Sequence, residues 1–258
     1  MSAPAATLAL LGLRGVPEVR PGSDLAALLA AALAERQIVP VAADVLVVAQ
    51  KIVSKAEGRL VDLASVVPGQ RALELATLTG KDARLVELIL SESTAVVRAK
   101  QDVLIVRHRL GYVLANAGID RSNVHNAAGR EQVLLLPHDP DASAAVLRAT
   151  LGLRCGVAPG VIISDSFGRP WRRGVVNVAI GAAGVPALLN RRGEADRGGR
   201  RLEVTEVAIG DALAAAAGLI MGEGAEGIPA VLIRGFGTVA PTSHGRALIR
   251  PLEEDLFQ

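Results

Sequence analysis

The chain has 258 residues, of which 50% are apolar and only 2% aromatic, and a formal net charge of +2 at pH 7. This length accommodates one large domain or two closely associated lobes around a core of Ala, Val, Leu and Ile. The small net charge, without a dense basic block, argues against nucleic-acid binding, and the single cysteine, Cys155, excludes a disulfide framework and fits the reducing cytoplasm.

The first segments of the chain predict no membrane anchor. Met1–Leu13 is apolar, but it lacks a basic flank and is too short to span a bilayer, as is Ala212–Met221. Ser23 or Asp24 can cap a helix that runs to about Arg36, with its leucines on one face. We therefore expect a soluble protein with a helix in this part of the chain.

The rest of the chain mixes strands and helices without a regular βαβ alternation, which predicts an α+β (irregular mixed α/β) fold of mixed sheets with flanking helices. The predicted strands are Asp44–Ala49, Val103–His108, Gly111–Asn116, Val133–Leu136, Gly160–Ser164, Glu203–Ile209 and Ala230–Ile233. The predicted helices are Pro68–Thr79, Asp82–Glu92, Asp141–Leu151 and Asp211–Met221. Long loops are expected at Gln50–Arg59, Asp165–Gly174, Leu189–Arg201 and Gly222–Pro229.

Two of the apolar runs end in polar segments that carry an aspartate. Asp120 is followed by Ser122 and Asn123, and Asp165 is followed by Ser166. Carboxylate, hydroxyl and amide oxygens suit a hard cation that holds phosphate oxygens. An ordinary Asx turn is the alternative for each segment alone, but the two together favour metal and phosphate binding.

Basic side chains accompany these acids. Arg169, Arg172 and Arg173 follow Asp165 and suit anionic oxygens, either to stabilise charge or to capture an anionic substrate. Lys51 and Lys55 follow a predicted buried strand, and a lysine in this stretch is a candidate for binding nucleotide phosphates, although a solvated loop explains the segment equally well.

Two glycine-containing segments complete the candidates. Gly12–Val19 could place backbone N–H groups against a nucleotide, but it matches neither a P-loop nor a dinucleotide fingerprint, and an ordinary turn also explains it. Met221–Gly227 contains more glycines and glutamates than a helix C-cap needs, so it is a candidate for a metal ligand or for contacts to a base and ribose.

Five motifs occur in register along the chain: Gly15–Val19, Ser54–Arg59, Asn116–Val124, Asp165–Gly174 and Met221–Ala230. In this order they resemble the coenzyme F420-0:L-glutamate ligase family, which adds γ-linked glutamate to a deazaflavin coenzyme. The resemblance extends from about Leu10 to Arg234. Ser166 replaces the commoner threonine of the family, and Gly198 stands where some members carry an aromatic residue.

The resemblance implies a set of site residues. Lys55, Arg169, Arg172 and Arg173 would be catalytic. One divalent cation, Mg²⁺ or Mn²⁺, would be held by Asp120 and Asp165, and a second by Ser166 and Glu223, with K⁺ as a further candidate cation. GTP would be bound by Val16, Pro17, Glu18, Val19, Gln50, Lys55, Asn123, Leu219, Ile220, Met221, Gly222, Glu223, Gly224, Ala225 and Glu226.

The implied reaction has two steps: GTP phosphorylates the terminal carboxylate of the coenzyme, and the amine of L-glutamate attacks the resulting acyl phosphate, with further γ-linked glutamates as an extension. The resemblance also implies a cytoplasmic homodimer with one ligase domain over residues 1–258, built as two interleaved lobes, and no fused flavin reductase domain. The alternatives are an amide ligase for a different carboxylated cofactor and a nucleotide-binding module without turnover.

Overall fold

The computed structural model describes residues 7–121, 131–237 and 240–255. The strands are β1 (Ala9–Leu13), β2 (Val45–Ala49), β3 (Leu60–Asp62), β4 (Ser93–Lys100), β5 (Val103–His108), β6 (Val113–Ala115), β7 (Gln132–Leu134), β8 (Gly160–Arg169), β9 (Arg172–Ala183), β10 (Leu189–Asn190), β11 (Glu206–Val207) and β12 (Ala230–Arg234). The α-helices are α1 (Leu25–Glu35), α2 (Gln50–Ala56), α3 (Gln70–Thr79), α4 (Ala83–Ser91), α5 (Pro140–Cys155) and α6 (Ile209–Met221).

A five-stranded mixed sheet with the order β1-β12-β2-β8-β9 brings the two ends of the chain together. Strands β2 and β8 are parallel, while the other neighbouring pairs are antiparallel. The side chains of Val45–Val48 are all buried because helices cover both faces of β2. Leu46 and Val48 belong to the core under α1 and α5, and Val45 and Val47 to the core under α6.

A second lobe is built by the chain between α2 and α5. Its elements are the three-stranded sheet β4-β5-β6, the β3–β7 pair and helices α3 and α4. They enclose a separate apolar cluster that includes Leu63, Val86, Ile89 and Leu104. The predicted α+β class, with mixed sheets and flanking helices, is thus confirmed, and the predicted dimer stays a prediction.

Most predicted helices appear within a few residues of their expected bounds. Asp24 caps α1, because its Oδ1 accepts a hydrogen bond from the Ala27 N–H at 2.9 Å. In the described part of the chain, no helix is both long enough and apolar enough to cross a membrane.

Several segments differ from the predictions, and strands β1, β3, β4, β9 and β10 occur where no strand was predicted. Gln50–Arg59 is not a loop but begins with helix α2, and most of Asp165–Gly174 belongs to the β8–β9 hairpin. Of Glu203–Ile209, only Glu206–Val207 is extended as a strand. The polar residues of the hairpin resemble a loop in sequence because they face solvent and a cleft instead of a core.

Candidate functional site

A cleft of about 490 Å³ opens where β2 ends and β8 continues. Ala49, the last residue of β2, pairs with Ser164, so the chain after Ala49 lies beside Asp165 and Ser166. The carboxyl ends of neighbouring parallel strands are a common position for binding sites. The lining residues are Val16–Val19, Ala49–Ile52, Ser164–Ser166, Met221–Ala225 and Gly227–Pro229, together with Lys55 and Asn177.

Two lysines enter the cleft from α2. The helix follows β2 directly, with Ala49 as its N-cap, and places Lys51 and Lys55 one turn apart on the same side. Gln50 and Ser54 are buried, and the Ser54 hydroxyl donates a hydrogen bond to Gln50 Oε1 at 2.8 Å. This buried pair fixes the rotation of the helix that presents the two lysines.

Asp120, in the second lobe, contacts Lys51 at the edge of the cleft but does not itself line it. Its carboxylate Oδ2 lies 2.8 Å from the Nζ atom of Lys51. The Asp120 backbone is held by two hydrogen bonds with Leu134, at 2.9 Å from its N–H and at 2.8 Å to its carbonyl oxygen. The ion pair therefore links α2 of the first lobe to the second lobe at the cleft.

The turn before Asp120 has an unusual backbone. Asn116, Ala117 and Gly118 have φ angles of 53°, 54° and 67°, all in the left-handed region. Such a conformation costs free energy at Asn116 and Ala117, and it persists only where the surroundings hold it. Ala117 is fully buried in the second lobe's core, which holds the turn and thereby sets the direction of the chain into Asp120.

The carboxylate of Asp165 is destabilised by its surroundings. Burial is the largest influence and raises its pKa to about 7, assisted by the negative charges of Asp120 and Glu223. The N–H of Ser166 and the positive charge of Lys51 act in the opposite direction. The charges of Lys51, Asp120 and Glu223 all act on the carboxylate of Asp165. The two aspartates, which are distant in the sequence, therefore share one electrostatic environment.

Two further polar side chains lie on the floor of the cleft. Ser164 is 1% exposed, and among the described residues its hydroxyl oxygen has no hydrogen-bond partner. Asn177 pairs across the strands with Ser166, and its Nδ2 lies 3.9 Å from the sulfur of Met221. These groups add oxygen and amide donors beside Asp165.

The segment after α6 closes one side of the cleft. Gly222 has φ 72° and ψ −179°, a conformation open essentially to glycine, and a Cβ on it would lie 2.1 Å from Cδ of Glu226. The carboxylate of Glu226 accepts a hydrogen bond from the Gly224 N–H at 2.8 Å. Glu226 thus closes its own turn, while Glu223 is exposed and lines the cleft.

The oxygen atoms at the cleft suit a hard cation, but they do not form a compact carboxylate cage. Within residues 7–121, 131–237 and 240–255, no group of three or more His, Cys, Asp or Glu side chains is placed to hold a metal ion. The carboxylate of Asp120 instead contacts the ammonium group of Lys51, and the positive charge of Lys51 also lowers the pKa of Asp165. A cation here would take hydroxyl, phosphate or water oxygens as its remaining ligands.

The sequence comparisons are consistent with this arrangement of motifs around one cleft. The family model described as F420-0:Gamma-glutamyl ligase matches residues 14–235. The chain belongs to this family.

Relatives named coenzyme F420:L-glutamate ligase share much of the sequence. The one from Methanothermobacter thermautotrophicus is 45% identical over 97% of this chain and 99% of its own length. The one from Methanopyrus kandleri is 48% identical over 93% of this chain and 94% of its own length, and the one from Methanocaldococcus jannaschii is 44% identical over 83% and 84%.

The cleft of this family member gathers most of the predicted binding residues. Those lining it are Val16, Pro17, Glu18, Val19, Gln50, Lys55, Asp165, Ser166, Met221, Gly222, Glu223, Gly224 and Ala225. Asn123 lies outside the described residues. Leu219 is 82% exposed and Ile220 packs against the core under α6, so neither of them lines the cleft.

The three predicted arginines do not line the cleft either. Arg169, Arg172 and Arg173 stand at the tip of the β8–β9 hairpin. The set of site residues implied by the resemblance also omitted Lys51 and Asn177, which line the cleft. Lys51 is four residues before Lys55, and Asn177 is a single polar residue within the apolar run Val175–Ala179; both patterns were visible signals in the sequence.

Proposed function

We propose that this chain is a GTP- and divalent-cation-dependent ligase that forms an amide between L-glutamate and the terminal carboxylate of coenzyme F420-0. The relatives named coenzyme F420:L-glutamate ligase support the two substrates. The observation that carries the proposal is the convergence of Lys51, Asp120 and Asp165 at one cleft. The same site adds further γ-linked glutamates when the first product rebinds.

Different residues of the cleft would bind the phosphates and the nucleoside of GTP. Lys51 and Lys55 supply positive charge for the phosphates, which lysines of nucleotide sites commonly do. Val16–Val19 and Met221–Ala225 line the remaining walls and offer backbone groups to the base and ribose. The buried Gln50 is fixed by Ser54 and shapes the wall between these two parts.

The donor set of the cleft fits a divalent cation. The carboxylates of Asp120 and Asp165, the Ser166 hydroxyl and the exposed Glu223 are hard oxygen donors of the kind that Mg²⁺ and Mn²⁺ prefer. The buried Ser164 hydroxyl has no partner in the described part of the chain and adds one more oxygen. Bound cations would neutralise phosphate charge and orient the γ-phosphate for in-line transfer. K⁺ stays a candidate.

The proposed reaction consists of two successive displacements. A carboxylate oxygen of the coenzyme attacks the γ-phosphorus of GTP, the bond to the β-phosphate oxygen breaks, and GDP leaves. The glutamate amine then attacks the acyl carbon, phosphate leaves, and the amine loses a proton. Positioning and charge neutralisation dominate such phosphoryl transfers, so a strong side-chain nucleophile is unnecessary.

The proposal is tested by incubating purified protein with coenzyme F420-0, L-glutamate and either GTP or ATP, with Mg²⁺, Mn²⁺ or excess chelator. Mass spectrometry follows the coenzyme, and GDP and phosphate are quantified. Hydroxylamine in a reaction without glutamate tests for the acyl phosphate, which it converts into a hydroxamate.

We expect glutamate addition with one GDP and one phosphate released for each amide, and no product with chelator. GTP binding without GDP release would support the nucleotide-binding module instead. Turnover only with another carboxylated cofactor would support the alternative ligase. Light scattering of the purified protein tests the proposed homodimer.

A further inference from the structure

The β8–β9 hairpin extends beyond the cleft and ends in an exposed tryptophan. The strands pair as far as Arg169 and Arg172, so Pro170 and Trp171 form a two-residue turn. Trp171 is 90% exposed and is the only tryptophan of the chain. A large aromatic side chain in this position contributes little to folding, because it buries almost none of its surface.

The backbone of Trp171 also carries a conformational cost. Its φ is 64°, in the left-handed region, where the second central residue of such a turn is usually glycine or asparagine. A bulky residue in this region is a strained choice unless packing compensates it, and the exposed ring has no such packing. An exposed and strained tryptophan is better explained by a ligand than by stability.

One face of the hairpin is anchored to the core. Phe167 contacts Tyr112 edge to face with ring centroids 5.9 Å apart, and both rings pack against the core under α1 and α5. The Tyr112 hydroxyl in turn donates a hydrogen bond to the Ile180 carbonyl oxygen of β9. The hairpin is therefore attached to the core along this face.

The opposite face is open and continues from the cleft. Ser166 and Asn177 form a cross-strand pair at the cleft, and the next pair on the same face is Gly168 with Val175. A Cβ on Gly168 would meet no atom within 4 Å, and Val175 is 53% exposed. This pair forms a flat apolar surface, the hairpin shelf, between the cleft and Trp171.

Anion donors lie at the tip of the hairpin, beyond the hairpin shelf. The Nε atom of Arg169 is buried, and among the described residues it has no hydrogen-bond partner. Its Nη2 donates to the Arg173 carbonyl oxygen at 3.2 Å, which holds the guanidinium in place. Arg172 and Arg173 are exposed at the same tip. A guanidinium with a buried N–H group to satisfy suits the anionic oxygens of a ligand.

The hairpin shelf is long enough for a ligand whose reacting carboxylate lies at the cleft and whose ring is bound at the hairpin tip. Arg169 lies three positions after Ser166 along β8, which corresponds to about 10 Å. A ligand whose carboxylate lies at Ser166 can therefore extend along Gly168 and Val175 and place a flat ring at Trp171.

We propose that the hairpin shelf binds the acceptor coenzyme, with Trp171 stacked on its deazaflavin ring and Arg169 bound to anionic oxygens of its tail. This proposal rests on the proposed function, because it assigns the substrate's ring to a surface next to the reacting site. In this arrangement Trp171 supplies affinity for the coenzyme, whereas the chemistry takes place about 10 Å or more away at the cleft.

The test compares Trp171→Ala, Trp171→Phe and Gly168→Val with the wild type in steady-state ligation and in calorimetric titration with coenzyme F420-0. We expect Trp171→Ala to raise the KM and Kd for the coenzyme about tenfold, the usual scale for loss of one stacking partner. Its kcat and its KM for GTP stay near wild type, because only coenzyme binding is weakened. Trp171→Phe restores most of the affinity.

Gly168→Val tests the shelf independently of the strained turn. The added side chain enters open space and suits a strand, so folding is preserved while the ligand's path is blocked. The KM for the coenzyme should again rise about tenfold. Leu153→Ala is the matched control, because Leu153 is 88% exposed on α5, away from the hairpin; its kinetic constants should be unchanged.

Unchanged coenzyme KM and Kd in Trp171→Ala would overturn the proposal. A raised KM for GTP with an unchanged one for the coenzyme would assign Trp171 to the guanine base and also overturn it. Loss of a dimer in Trp171→Ala, seen by light scattering, would make the tip an interface between copies. If the wild type makes no amide product but the coenzyme still binds through Trp171, the proposed function fails and the shelf stands.

Discussion

The ammonium nitrogen of Lys51 lies 2.8 Å from Oδ2 of Asp120, although 69 positions separate the two residues in the sequence. Lys51 belongs to the helix that leaves the central sheet, and Asp120 belongs to the second lobe. The charges of both residues act on Asp165, Lys51 lowering its pKa and Asp120 raising it. Lys51 lies next to the proposed cation and phosphate sites, so its mutation tests both.

Replacing Lys51 with Met separates cation binding from phosphate binding. The ammonium group competes with a divalent cation for Asp120, so Lys51→Met should bind Mn²⁺ in the absence of nucleotide at least as tightly as the wild type. The same variant should ligate roughly 10- to 100-fold more slowly, because a charge-assisted bond to phosphate is lost. Calorimetry with Mn²⁺ and steady-state kinetics measure the two effects.

Lys100→Met is the control, since Lys100 is exposed on β4 in the second lobe. Its affinity for Mn²⁺ and its rate of ligation should equal those of the wild type. Loss of Mn²⁺ binding in Lys51→Met, or unchanged ligation by that variant, would contradict the position assigned to Lys51.

The raised pKa of Asp165 predicts a pH-dependent stability of the metal-free protein. The folded-state pKa is about 7, above the ordinary value of 3.8, so the carboxylate's contribution to stability is present below about pH 4 and is lost as the pH rises through 7. Asp165→Asn removes this titration. At pH 8 the metal-free variant should be more stable than the wild type by about 4 kcal/mol, and the difference should disappear near pH 4.

Chemical denaturation at pH 4, 6 and 8 in the presence of chelator measures this difference. Glu203→Gln changes a carboxylate to an amide at an exposed site and serves as the control. A stability difference that is constant between pH 4 and 8 would show that the neighbourhood of Asp165 does not penalise its negative charge.

Lys55 is expected to bind the phosphates of GTP from the second turn of α2. Lys55→Ala should raise the KM for GTP about tenfold and leave the KM for L-glutamate unchanged, because one charge-assisted contact is lost at the nucleotide alone. Steady-state kinetics with each substrate varied in turn provides the measurement. Lys100→Ala controls for the loss of a surface lysine, and an unaltered KM for GTP in Lys55→Ala would remove this residue from the nucleotide site.

Arg59, a residue of the Ser54–Arg59 motif, has a structural role that ties the lobes together. Its Nη2 lies 2.9 Å from Oε1 of Glu92, and its Nε donates to the Leu136 carbonyl oxygen at 2.8 Å. His108 Nε2 and Arg109 Nε lie 3.3 Å and 3.0 Å from Oε2 of Glu92. Burial raises the pKa of Glu92, but the bonds from His108 and Arg59 outweigh it and hold the pKa at about 2.

Glu92→Gln should therefore lower the free energy of unfolding by about 2 kcal/mol at pH 7, because it leaves Arg59 and Arg109 without their counter-charge. The stabilisation from Glu92 is present above its ordinary pKa of 4.5 and is lost as the pH falls towards 2, so wild type and variant should converge there. Glu74→Gln, which breaks the exposed pair with Arg71, should change stability by less than about 0.5 kcal/mol.

Buried apolar runs made the core elements predictable, and polar segments at the site were harder to assign. Val45–Val48 could be recognised as a strand because both faces are covered, and Asp24 as a cap because its side chain bonds the first turn. Helix α2 has no side-chain cap at Ala49 and follows β2 without a turn, so its start left no signal in the sequence.

The candidate site could be predicted as a set of motifs but not as a geometry. The aspartates and Lys55 were recognisable by residue type, since hard cations and phosphates need these groups. The Lys51–Asp120 ion pair could not be recognised from the sequence, because it depends on how the second lobe packs against α2. Arg169 lies away from the cleft because β8 and β9 pair as far as Arg169 and Arg172. The polar composition of this segment predicted a loop, so the length of the hairpin could not be foreseen.

The catalytic role of the cleft is tested most directly by mass spectrometry of coenzyme F420-0 incubated with L-glutamate, GTP and Mn²⁺, using wild-type protein and Asp165→Asn in parallel. The wild type should add glutamate to the coenzyme with matching GDP release. Asp165→Asn should remain folded and be slower by at least about 100-fold, because a cation ligand has lost its charge. Ligation by Asp165→Asn at nearly the wild-type rate would contradict the assignment of this cleft as the catalytic site.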